Sequence, residues 1–89
     1  MKKVVTVTEV EGEGFDALLD KNVILFCMNY IYTGKLIGVN KTCILLENPK
    51  IVYETGAFDS SHFKDAQALS FQLYVQISSI ESFSETNKK

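Results

Sequence analysis

Hydrophobic and polar positions alternate with a period of two through much of the chain, and strands are the elements this pattern predicts. The plainest case is Leu69 to Ile77, where Leu69, Phe71, Leu73, Val75 and Ile77 take one side and Ser70, Gln72, Tyr74 and Gln76 the other. Asn22 to Met28 is apolar almost without interruption, as suits a central strand buried on both faces. Asn29-Tyr30 reads as a tight connection, and Ile31 to Val39 resumes as a strand interrupted by Gly34 and Gly38. Glycines four apart inside a strand predict sharp bending or close backbone approach, which a small barrel requires. Asn40-Lys41-Thr42 turns the chain into a strand over Cys43 to Glu47. Pro49 closes the regular part of that strand, and Ile51-Val52-Tyr53 extends it after a bulge.

The flanks are less regular. Residues 1–11 predict an amino-terminal strand rich in Val and Thr, ended by Glu11-Gly12-Glu13-Gly14. Phe15, Leu18 and Leu19 fall at i, i+3 and i+4 with acidic residues early, which predicts one short helix covering an end of the barrel. Residues 54–68 carry no sustained period and predict an exposed, variable loop. Ser78-Ser79 breaks the long alternating strand, Ile80 to Phe83 makes a short last one, and residues 84–89 form a polar tail expected to fray. At 89 residues there is room for one domain, with its core over about 15–83, and self-association would add stability to so small a core.

Composition narrows the function. The chain is 46% hydrophobic and 22% charged, with six Phe and four Tyr, which argues for a folded, strand-rich domain and against disorder. Its formal charge is -2, and all nine basic residues are Lys, a poor electrostatic footprint for nucleic acid. Tyr30, Tyr32, Tyr53 and Tyr74 would suit base stacking or interface packing. Cys27 and Cys43 lie in apolar runs, where a thiol behaves as a small hydrophobe, and they lack a metal-binding spacing. The amino terminus turns acidic too early for a signal peptide, and no apolar run is long enough to span a membrane. The expectation is a soluble, reducing, cytoplasmic setting with no membrane partner. Asp59, Ser60, Ser61 and His62 bring together three residue types of a catalytic triad, but a working triad draws them from separate elements in fixed geometry. Neither a phosphate-cradling Gly loop nor a nucleophile elbow is present. No enzyme, cofactor or metal is expected.

The segment Tyr32-Thr33-Gly34-Lys35-Leu36-Ile37-Gly38-Val39-Asn40-Lys41-Thr42-Cys43-Ile44-Leu45-Leu46 resembles the first motif of the Sm/LSm/Hfq family, and Val75-Gln76-Ile77-Ser78-Ser79-Ile80 resembles its second motif in the Hfq version. The resemblance covers about residues 15–83. It implies an all-β, Sm-like (SH3-like), strongly bent five-stranded open barrel with a short amino-terminal helix, here with an additional amino-terminal strand. It further implies a homo-oligomeric ring of about five to seven subunits, closed head to tail. The strand ending at Ile77 would pair with the last strand of the next copy, placing Leu69, Phe71, Leu73, Val75, Ile77, Ile80 and Phe83 at the interface. Single-stranded RNA would be met at Asn40, Lys41, Thr42, Ser78 and Ser79. The chain departs from the family in chemistry: Thr42 stands at the stacking position, Ile44 where Sm proteins carry Asn, and Tyr74-Val75 where Hfq carries Lys-His. Two functions follow, an RNA-associated ring with an altered RNA site, or a ring kept as a protein-interaction or assembly scaffold. A monomeric SH3-like barrel is a third reading.

Overall fold

The computed structural model describes residues 14–89, so the strand expected over 1–11 lies outside the described residues. The chain forms β1 (Asn22–Cys27), β2 (Ile31–Val39), β3 (Cys43–Glu54), β4 (Asp65–Ala68), β5 (Leu73–Gln76) and β6 (Ile80–Glu85). These make one antiparallel sheet in the order β4-β3-β2-β1-β6, with β5 also on β3. The all-β class stands.

The central strands shift register beside both glycines of β2, and only at Gly34 do the backbones come too close for a side chain. Between Thr33↔Lys50 and Lys35↔Glu47 the register shifts, so Gly34 faces the two residues Asn48 and Pro49. A Cβ on Gly34 would lie 3.1 Å from the Pro49 Cα, so the two backbones touch here. Asn48 takes φ 51°, a left-handed conformation that Asn tolerates, and this lets β3 run on through Pro49 to Glu54 rather than stop. A second shift falls between Leu36 and Gly38. The two bulges coil the sheet around a core of Val23, Leu25, Leu36, Ile44, Leu46 and Val75. Ile24, on the opposite face of β1, is also buried, so the middle of that strand is covered on both sides.

Several expectations at the flanks are overturned. In place of a helix over 15–20 there is a single 3-10 turn, Asp16–Leu18. It ends because Asp20 turns left-handed (φ 66°) to donate its amide to the Leu36 carbonyl at 2.7 Å, and Leu36 returns a bond to Lys21. The stretch 54–68 is not all loop, because Asp65–Ala68 pairs with the far end of β3. The long strand over Leu69 to Ile77 is cut to Leu73–Gln76. Four residues, Leu69 to Gln72, lie opposite only three of β3, between Lys50↔Ala68 and Leu46↔Leu73, and the surplus breaks the ladder and turns Phe71 out to solvent. Ile77–Ser79 forms a second 3-10 turn, and β6 continues past Phe83 to Glu85 along β1.

The last residues are hydrogen-bonded to the rest of the chain. The Thr86 amide donates to the Asn22 carbonyl, Lys89 to Ser61, and Phe63 back to the Lys89 carbonyl, all at 2.7–2.9 Å. The Lys88 ammonium donates to the carbonyls of Ala57 and Ser60 and stands 5.6 Å from the Phe63 ring centroid. Residues 86–89 therefore form a strap from the β6 edge to the segment leading into β4.

Candidate functional site

The turn after β2 is built by one side chain. Asn40 Oδ1 accepts from the Thr42 amide at 2.8 Å, the Cys43 amide at 2.9 Å and the Thr42 hydroxyl at 3.2 Å. This is the local side-chain substitute for a backbone turn that Asn supplies well. The Thr42 carbonyl in turn accepts from the Ile77 amide at 2.9 Å, which locks this turn to the one between β5 and β6. Ser79 donates its hydroxyl to the Gln76 carbonyl at 2.8 Å and closes that second turn.

Between the two turns lies an open hollow of about 790 Å³ lined by Lys41, Thr42, Cys43, Tyr74, Gln76 and Ser78. Three of the five residues expected to meet RNA thus share one surface, while Asn40 is exposed beside them and closes the turn that carries Lys41 and Thr42. Ser79 lines a neighbouring hollow of about 260 Å³ with Tyr32, Tyr74 and Gln76. Tyr74, 69% exposed, borders both. Sequence reasoning noted the ring but not its place. Only the pairing of β5 with the start of β3, Cys43↔Gln76 and Leu45↔Tyr74, brings it beside Lys41.

The residues expected at a subunit interface divide. Val75 belongs to the core of the chain itself, so its side chain does not face outward. Leu73, Ile77 and Ile80 are half-buried against that same core, and Leu69 is half-buried. Phe71 is exposed, and Phe83 stacks on Phe15 at 4.0 Å. What remains outward near the β5 edge is Phe71 and Tyr74. Among the described residues, β5 and β6 are each paired on one side only, to β3 and β1.

Burial raises the Cys27 thiol above its usual range and Glu81 adds to this, against a hydrogen bond with Ser79. Both cysteines are free and half-buried, as suits structural thiols. Ser61 Oγ lies 2.8 Å from His62 Nδ1 on an exposed loop, and among the described residues no side-chain bond joins Asp59 to that pair. No cluster of three metal-ligating side chains occurs among the described residues. Nor is any helix there long and apolar enough to cross a membrane. No protein-family model matches the chain, and no curated protein is significantly similar to it in sequence.

Proposed function

We propose that the protein is an Sm-like subunit that assembles head to tail into a homo-oligomeric ring of about five to seven copies and takes single-stranded RNA at an altered site. The observation that carries this is the pair of strands β5 and β6, each paired on one side only among the described residues, at opposite edges of one coiled sheet and joined by the three-residue turn Ile77–Ser79. A strand with unpaired backbone groups is a template for another chain. When two such edges sit on one subunit, β5 of one copy can accept β6 of the next. The order of a bent three-strand meander, a return along β3, a short turn and a last strand on β1 agrees with the Sm pattern of the two sequence motifs. Two free thiols suit the reducing, cytoplasmic setting expected from the sequence.

The RNA reading rests on the hollow between the turns. It offers one ammonium from Lys41, hydroxyls from Thr42 and Ser78, and the exposed ring of Tyr74. Tyr74 supplies the flat face that Thr42 lacks, and stacking on such a ring tolerates any base. With one lysine per subunit, affinity in this reading comes from repetition around the ring more than from any single site. The scaffold reading is favoured by a different observation: Met28, Tyr30, Phe71 and Tyr74 are each more than half exposed, large apolar groups that protein partners could cover.

The test is fluorescence anisotropy of labelled oligo-U and oligo-A at low and moderate salt. Sub-micromolar binding that weakens with salt and is lost in Tyr74→Ala and Lys41→Ala is the expected result. No binding at low salt overturns the RNA reading and leaves the scaffold.

A further inference from the structure

We infer that residues 3–10 pair as a strand along the outer edge of β6 in their own chain and so cap the edge that a neighbouring copy would otherwise take. Six of these eight residues, Val4, Val5, Thr6, Val7, Thr8 and Val10, are β-branched, and none is Gly or Pro, which is the composition of a strand. A strand needs a ladder to join. The described residues fix where this segment sets out. Phe15 packs against the core and stacks on Phe83 of β6, with ring centroids 4.0 Å apart. Gly14 turns the chain just before it at φ 66°, in the left-handed region that glycine enters without strain. The stretch Glu11 to Gly14 spans at most about 14 Å, and an added strand lies about 4.8 Å from its neighbour. The segment therefore reaches the β6 edge, and its eight residues cover the six of Ile80–Glu85.

That edge has groups to offer. Thr86 donates its amide to Asn22, and the register runs unbroken from Val23↔Glu85 to Phe26↔Ser82. Successive residues of an antiparallel strand turn their N–H groups to opposite sides. Ser82 and Ser84 therefore face β1 as Thr86 does, and Phe83 and Glu85 present their amides to the outer side, where no strand lies among the described residues. Charge agrees with the pairing, because residues 2–10 hold two lysines and one glutamate while β6 holds two glutamates and no lysine. The stack of Phe15 on Phe83 selects β6 over the edge of β5. In the ring proposed above, this edge belongs to β5 of the next copy, so the segment must leave before that copy can pair, and a free subunit is held back from assembly. The docking itself does not rest on the ring.

The test is NMR on the full chain, by hydrogen exchange and by nuclear Overhauser contacts in a mixture of isotope-labelled and unlabelled chains. The amides of Phe83 and Glu85 are expected to exchange at least about tenfold more slowly than in Val5→Pro with Thr6→Pro, which removes a ladder donor whichever way the segment faces. Contacts are expected between residues 4–8 and 81–85 within one labelled chain, a readout that needs no variant. Fast exchange at both amides in the wild type, or protection that the proline variant leaves unchanged, overturns the proposal. So do contacts of residues 4–8 with β5, or contacts found only between labelled and unlabelled chains. A mass of one subunit at every concentration would defeat the ring and leave these exchange rates and contacts as they are.

Discussion

Gly34 shows how little room the bend leaves. Its absent Cβ would meet backbone, the Pro49 Cα at 3.1 Å and the Glu47 carbonyl at 3.2 Å, and neither can rotate away. Gly34→Ala is therefore expected to lower stability by about 1–3 kcal/mol, read as a fall in denaturant midpoint at unchanged slope. Gly38 is a useful control, because its Cβ would touch only the Leu45 Cβ at 3.5 Å, and Gly38→Ala should leave the midpoint near its original value. Cys27 makes a prediction in pH. Burial, reinforced by Glu81 and partly opposed by the Ser79 hydrogen bond, raises the folded thiol above its unfolded value. A group raised on folding stabilises the protein below its unfolded value, about 8.5 for a thiol, and that contribution fades as pH rises further. The melting temperature should fall more steeply from about pH 8 to pH 10 in the wild type than in Cys27→Ala, and equal slopes would refute this.

Among the elements, the turn at 40–43 depends most on one side chain. Asn40→Ala removes the acceptor of three hydrogen bonds, and a loss of about 1–2 kcal/mol with faster hydrogen exchange at the Thr42 and Cys43 amides is expected. This turn was legible in the sequence because an Asn turn is local chemistry. So was the close approach at Gly34, while Gly38 has room for a side chain and its place in the spacing carried no such need. The helix over 15–20 was misread because its i, i+3, i+4 pattern serves a 3-10 turn as well, and Leu36, distant in sequence, captures the Asp20 amide. The alternation of 69–77 is real in period, yet where it breaks is decided by how many residues of β3 lie opposite. The tail reads as a polar end, and the partners of Lys88 lie 28 and 31 residues away, beyond the reach of any local pattern. At the candidate site, Lys41, Thr42 and Ser78 were named from the motifs, while the place of Tyr74 needed the β3–β5 pairing.

For the whole molecule, the proposed ring predicts a mass several times the 10.0 kDa of one chain. Charges beside an open edge discourage pairing, and Phe71 and Tyr74 are exposed near β5, so Phe71→Lys with Tyr74→Lys should reduce the mass to one subunit with circular dichroism unchanged. An unaltered mass would count against assembly through that edge. Val75→Lys is a different experiment, because it places a charge in the core and should unfold the subunit itself. The β1–β6 ladder also has a mechanical consequence. Val23 pairs with Glu85 and Cys27 with Ile80, so the start of β1 and the finish of β6 lie side by side at one extremity of the sheet. Tension drawn through residues 22 and 85 would load the cross-strand bonds one at a time, the Thr86-to-Asn22 bond first, and peel the pair open like a zipper at low force.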